Sequence, residues 1–228
     1  MIRLALFLVA TPGTALACAL ELILATDVSG SIDQYEYRVQ ADGLAAAFQD
    51  QRLAKAIDAM EGGLIITHLQ WSGASRQTQV TPWRHLTDGA SVAAYGDELQ
   101  GTGRKWRNFS TAIGEALLFA EEVSTQAPLA CKRRVIDVSG DGVSNEGSDP
   151  GKVSDRLESL GYTINGLVIR GAEPDPVGHY QSEVIAGETA FIEIATDFED
   201  YPEAILRKLL REIDPPLLTS GLANETAD

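Results

Sequence analysis

Histidine, cysteine and basic residues are all scarce in this chain of 228 residues. The three histidines, His68, His85 and His179, lie in a strand pattern or near loop and helix starts, and read as structural or exposed groups. Eighteen Lys and Arg stand against 33 Asp and Glu, a formal net charge of −15. That balance argues against general binding of a phosphate backbone and against docking on an anionic membrane. Beyond the first residues no apolar run is long enough to cross a bilayer. No G-x-S-x-G turn is present for a serine nucleophile, and no Walker lysine for a nucleotide phosphate. Gly140-Asp141-Gly142 does not continue into a dinucleotide-binding spacing. A phosphohydrolase built on Asp27 would want a second aspartate two residues on, where Ser29 stands. These gaps argue against an enzyme. No repeat, interdomain linker or low-complexity segment interrupts the chain, so one domain is expected.

What is present begins with Met1-Ile2-Arg3, the apolar run 4–10, a Pro-Gly break and Ala15-Leu16-Ala17. Charge, short apolar core and a small-residue site describe a secretory signal peptide over 1–17. The reading is therefore periplasmic or secreted, with mature protein from Cys18. A lipid anchor on Cys18 is a weaker alternative, because Ala15 stands where leucine is wanted. Cys18 and Cys131 each precede an apolar run, 19–25 and 135–138. If those runs are neighbouring parallel strands, the two thiols start side by side, and an oxidising compartment would join them. Closing so long a loop is worth ~4–5 kcal/mol in the chain-entropy model.

The stretch 22–33, LILATDVSGSID, organises the rest. Its apolar start suits a strand buried on both faces of a sheet. Its end brings Asp27, Ser29 and Ser31 around Gly30, just before a helical pattern, where open α/β sheets place their ligands. Hard oxygens of this kind suit Mg²⁺, Mn²⁺ or Ca²⁺. Asp33 and Glu36 form a capping box for a helix whose apolar side is Tyr35, Val39, Leu44, Ala47 and Phe48. Helices are then expected at 51–60, 88–99, 110–123, 150–160, 177–186 and 197–213. Strands are expected at 64–71, 134–139, 162–169 and 190–195, with a less apolar edge strand at 76–83 closed near Pro82. Such alternation predicts a doubly wound α/β domain over 18–214, with helices on both faces and a disordered tail over 215–228. Ser110-Thr111 at a helix start and Ser139-Gly140-Asp141-Gly142 at a strand end would converge on the first loop. Two carboxylates and three hydroxyls then make a hard cation site.

Asp27-Val28-Ser29-Gly30-Ser31 resembles the D-x-S-x-S signature of the von Willebrand factor type A (VWA) domain. Thr111–Leu117 and Val138–Gly142 are similar to that family's threonine and later aspartate segments. Trp71-Ser72-Gly73, Ser139–Gly142 and residues 204–212 add a likeness to a group of exported bacterial proteins of this type. The resemblance covers the whole mature chain and implies a Rossmann-like VWA fold, a mostly parallel sheet with one antiparallel edge strand. It also implies a metal-ion-dependent adhesion site (MIDAS). Ser29 and Ser31 would bind Mg²⁺ directly, Asp27, Asp141 and Thr111 directly or through water. A protein partner's carboxylate would complete the site, with no nucleic acid and no stable membrane insertion. Two departures stand out: Asn108-Phe109-Ser110 replaces the usual glycine pair, and Gly140 replaces threonine before Asp141. Trp71, Trp106 and Asn145 are candidates for the partner-facing rim. The basic run 104–107 is a candidate for attracting an acidic partner. The alternatives are a structural module with a non-functional metal site and an Mg²⁺-dependent hydrolase.

Overall fold

In the computed structural model, which describes residues 18–213, strand β1 (Cys18–Asp27) alternates strictly between two cores. Leu20, Leu22 and Leu24 join one hydrophobic cluster, while Ile23 and Ala25 join the other. A strand buried on both faces has no solvent side, which is why its sequence reads as a continuous apolar run. The expected leader over 1–17 and tail over 215–228 lie outside the described residues.

Five further strands complete the sheet: β2 (Leu64–Trp71), β3 (Gln77–Leu86), β4 (Cys131–Gly140), β5 (Tyr162–Ile169) and β6 (Ile192–Ala195). Their order is β3-β2-β1-β4-β5-β6. All neighbours run parallel except the β2–β3 pair, which is antiparallel at one edge. Four helices, α1 (Gln34–Ala47), α2 (Gln51–Asp58), α3 (Gly89–Gln100) and α7 (Tyr201–Ile213), contribute to the first core. Helices α4 (Ile113–Ser124) and α5 (Pro150–Ser159) contribute to the second. A short helix α6 (Pro176–His179) runs into a π-helical turn at Tyr180–Val184. This is the doubly wound α/β architecture expected. The two connections leaving β1 and β4 diverge to opposite sides of the sheet, which opens a crevice above their carboxyl ends.

Local rules account for the helix starts. Asp33 accepts from the backbone N–H groups of Tyr35 and Glu36, and Glu36 returns a bond to Asp33, the full capping box, worth about 1 kcal/mol. Asp88 and Ser91 form a second capping box at α3, and Asp149 caps α5 by accepting from the Lys152 N–H, with Pro150 in the first turn. At the sheet's base Cys18 and Cys131 are directly paired residues of β1 and β4 and form a disulfide, with Cα atoms 4.5 Å apart.

Several expected details are corrected. Tyr35 is exposed, and α1 instead turns Tyr37 and Gln40 inward with Leu44. Strand β3 continues through Pro82 to Leu86, because the ladder slips between Ile66 and Leu69 of β2 and leaves the proline outside the regular pairing. Helix α4 begins at Ile113, so Ser110 and Thr111 stand in the loop before it. The expected helix over 177–186 is one helical turn and a π-turn, and the last helix starts at Tyr201.

Candidate metal centre

Three loops meet above the carboxyl ends of β1 and β4. From β1 come Asp27, Ser29 and Ser31, from the loop before α4 comes Thr111, and from β4 comes Asp141. Their polar atoms form one continuous chain. The Ser29 N–H donates to Asp27 Oδ1 at 2.7 Å. Thr111 Oγ1 donates to Ser29 Oγ at 3.3 Å, Ser29 Oγ lies 3.3 Å from Ser31 Oγ, and Ser31 Oγ donates to Asp141 Oδ1 at 2.8 Å. All five residues named from the sequence are therefore brought together.

The electrostatics of the cluster are unbalanced. Asp27 is fully buried, and its Oδ2 has no hydrogen-bond partner among the described residues. Burial first, and the Asp141 carboxylate second, push the Asp27 carboxyl up to about 8. Burial likewise raises Asp141, against the lowering effect of its bond from Ser31. Two adjacent buried acids with a free oxygen lack a positive charge between them. A divalent cation of hard character fits both the deficit and the donor set, two carboxylates with three hydroxyls. Among the described residues no three His, Cys, Asp or Glu side chains are placed to hold a metal ion by themselves, and this cluster has two acids, its other donors being hydroxyls.

Arg104 does work that its sequence position does not announce. Its Nη2 donates to the carbonyls of Val28 at 3.0 Å, Ser29 at 2.8 Å and Ile32 at 2.8 Å. Its Nη1 reaches the Asp33 carbonyl at 3.2 Å and its Nε the Trp106 carbonyl at 2.8 Å. The guanidinium lies 5.6 Å from the centre of the Tyr37 ring. One fixed fork of donors thus holds the whole turn that carries Ser29 and Ser31. The basic run is in this respect corrected: Arg104 faces inward, not toward a partner.

The Thr111 loop is tied on two sides. Thr111 N–H donates to Asn145 Oδ1 at 3.0 Å and Asn145 N–H donates to the Thr111 carbonyl at 2.9 Å. Ser72 Oγ donates to the Ser110 carbonyl at 3.0 Å, and Ala112 N–H to the Ser72 carbonyl at 3.0 Å. The Gly30 N–H donates to the Phe109 carbonyl at 2.8 Å, locking the first loop to the second. Asn108 takes φ 60°, a left-handed conformation that asparagine tolerates, where the VWA pattern has glycine. The loop after Asp141 is held by Glu115, which accepts from the Ser148 N–H at 2.8 and 2.9 Å and from Ser148 Oγ at 2.9 Å.

Gly140 also has a local cause. A Cβ there would stand 2.7 Å from the Tyr180 hydroxyl and 3.1 Å from Asp27 Oδ2. Tyr180, in the π-helical turn, is fully buried and its hydroxyl has no partner among the described residues. The hydroxyl stands in the space a side chain in place of Gly140 would need.

The rim candidates divide. Asn145 is exposed and clips the Thr111 loop. Trp71 is 1% exposed and packs in the second core, so its rim role is corrected. Trp106 is half-buried against the first core. Phe109, 43% exposed with Arg76 4.7 Å from its ring centre, is the apolar residue on the rim. The histidines stay outside the site: His68 is buried, with Nε2 3.0 Å from Thr26 Oγ1, and burial pushes its pKa down to about 3. His179 Nε2 accepts from the Ser144 N–H at 3.1 Å.

The fold is that of the VWA-type domains among solved structures. The chain belongs to the family described as Protein of unknown function (DUF1194), whose model matches residues 17–217. Among solved structures it is similar to proximal thread matrix protein 1 from the mussel byssus, at TM-score 0.63 and 16% identity over 85% of this chain and 47% of that one. Another structure of that mussel protein has a zinc-occupied MIDAS motif. The von Willebrand factor type A protein from Catenulispora acidiphila matches at TM-score 0.57 and 18% identity, covering 86% of this chain and 43% of that one. The pilus adhesin SpaC from Lactobacillus rhamnosus GG matches at 0.59 and 14%, covering 86% and 30%. The chain thus spans less than half the length of these three relatives. No curated protein matches it. No helix among the described residues is long and apolar enough to cross a membrane.

Proposed function

We propose that this chain is an exported VWA domain that holds a divalent cation at Asp27, Ser29, Ser31, Thr111 and Asp141 and uses it to bind a protein partner. The observation that carries the reading is the fully buried Asp27 with an unpartnered oxygen beside a second buried acid, Asp141. An all-oxygen donor set favours Mg²⁺, with Mn²⁺ or Ca²⁺ as alternatives, over zinc, whose preferred ligands are nitrogen and sulfur. The ion would neutralise the two carboxylates and offer its open position to an acid on the partner. A cleft of about 410 Å³ opens beside Ser31 and Asp141, and Asp33, Glu36, Asp197 and Glu199 line it with Arg170. That acidic surround favours a partner whose metal-seeking carboxylate has basic flanks. Among the described residues no arrangement of nucleophile and base accompanies the cluster, and binding is the reading preferred over hydrolysis.

Calorimetric titration of Mg²⁺ and Mn²⁺, with acetate present as a stand-in for the partner's acid, tests the reading. Saturable binding is expected, and its loss in Asp27→Asn and Asp141→Asn with folds intact. Absence of binding to the folded wild-type protein at millimolar metal would overturn it in favour of a structural module.

A further inference from the structure

Opposite the metal centre, at the base of the sheet, a second polar constellation stands apart from everything described so far. Glu21, Arg134 and Tyr162 are consecutive partners across β1, β4 and β5, Glu21 opposite Arg134 and Arg134 opposite Tyr162. By the period-two alternation all three face the side covered by α4 and α5. Glu21 is 3% exposed and Tyr162 5%. The Tyr162 hydroxyl donates to Ser124 Oγ at 2.8 Å, and Ser124 Oγ donates to Glu21 Oε1.

This chain of bonds ends on a carboxylate whose second oxygen, Oε2, has no hydrogen-bond partner among the described residues. That oxygen is not among the fully buried unpartnered atoms, so it opens to the cleft that Glu21 lines, where a ligand can meet it. Arg134 acts on the carboxylate only through space and makes no bond to it. The guanidinium is drawn away, stacked 4.0 Å from the centre of the Tyr162 ring and donating through Nη2 to the Leu160 carbonyl. Its remaining N–H groups have no partner among the described residues. Both charges line one cleft of about 420 Å³, whose other wall is Ala127, Pro128, Leu129 and Ala130. Burial raises the Glu21 pKa, while the Ser124 bond and Arg134 lower it.

We infer that this cleft binds a small zwitterion, an α-amino acid with a compact apolar side chain, through Glu21 Oε2 and the Arg134 guanidinium. The ammonium donates to the free carboxylate oxygen and the ligand's carboxylate accepts from the guanidinium fork. Glu21 and Arg134 are directly paired residues of β1 and β4 and line the same cleft, so a ligand carrying both charges can meet both groups there. Pro128 and Leu129 cover the apolar side chain. The site takes no part in metal binding, and its ligand is chosen by charge pairing at two points, not by net charge.

The test is a titration of the full chain by amide chemical shift, in excess chelator so that metal plays no part. L-alanine is the zwitterionic probe, with ethylamine and propionate as the single-charge controls. Saturable shifts confined to the segment 124–134 and the start of β5 are expected with L-alanine. Both controls, and Glu21→Gln, should bind at least about tenfold more weakly, the loss of one charge-assisted contact. The Gln variant keeps an acceptor for Ser124. If its spectrum shows unfolding, Arg134→Gln is read in its place. No saturation by L-alanine at about 50 mM, where even a very weak site responds, overturns the inference. Equal binding of ethylamine, or unchanged binding in the folded variants, overturns it as well.

Discussion

The Arg104 guanidinium donates to the Ser29 carbonyl at 2.8 Å, 75 residues away in sequence, and so fixes the loop that carries two of the five candidate metal ligands. The same fork takes four further carbonyls, including those of Val28 and Ile32. Loop shape at the site therefore depends on a residue that touches none of the ligand oxygens.

Replacing Arg104 with alanine should lower stability by about 1–3 kcal/mol, since several buried carbonyls lose a charged donor. Mg²⁺ affinity should drop by more than tenfold. Arg104→Lys should recover only part of both, because an ammonium cannot span the same fan of acceptors. Thermal melts and calorimetric titration of the two variants check this.

Asp27→Asn should separate metal binding from folding in opposite directions. The amide keeps an oxygen for the Ser29 N–H but removes a buried charge beside Asp141. In chelator at pH 8 and above, the variant is expected to melt higher than wild type, by on the order of 1–3 kcal/mol. Added Mg²⁺ should raise the wild-type melting temperature and leave the variant unchanged.

A pH series reads the buried triad on the opposite side of the sheet from Glu21. Lys208 Nζ lies 2.6 Å from Asp137 Oδ1 and 2.5 Å from Glu212 Oε1, and Asn165 Nδ2 donates to Glu212 Oε1 at 3.1 Å. Burial first, then Asp137, push Glu212 up to about 7, against the lowering effect of Lys208. An acid raised on folding takes up a proton, so its favourable contribution is complete below about pH 4.5 and fades as pH rises through 7. Asp27 adds the same sign up to about pH 8 in chelator. Wild-type stability should therefore fall across that window, and Glu212→Gln should flatten the part below pH 7. A slope of the opposite sign in chemical denaturation would refute the assignment. Lys208→Met, which strands two buried acids, should cost about 3–5 kcal/mol.

Gly140→Ala should be disruptive alone and tolerated in combination. Its Cβ would crowd the Tyr180 hydroxyl at 2.7 Å, so the single variant is expected to lose about 1–3 kcal/mol and most of its metal affinity. Tyr180→Phe removes that hydroxyl and should restore much of both in the double variant. A double-mutant cycle in melting temperature and metal affinity measures the coupling.

Much of this architecture was legible because local signals and global packing agree. Leu64–Trp71 and Tyr162–Ile169 read as buried strands and are β2 and β5 to the residue. Asp33 announced a helix start by its capping box with Glu36. The convergence of the five candidate residues followed from oxygen-bearing side chains at two strand ends and one expected helix start. Other features were hidden because long-range contact decides them. Tyr35 and Tyr37 are interchangeable in composition, and only the placement of Arg104 and Gln70 shows why Tyr37 turns in. Arg104 looks like surface charge until its acceptors, from Val28 to Trp106, are in view. Trp71 ends a strand at the site yet points into the second core, a direction set by strand parity with Leu69. The π-turn around Tyr180 has no periodic signature of its own.

The Cys18–Cys131 bond ties β1 and β4 at one end of the sheet, and Asp27 and Asp141 stand at the other end of the same two strands. Mechanically, those strands form a braced beam. A pull applied at Asp27 and Asp141 would enter both rails at once, and the covalent rung at the base would stop either from sliding past the other. Tension would then be shared by the sheet's two central members and kept from the outer strands, β3 and β6, each held by a single neighbour.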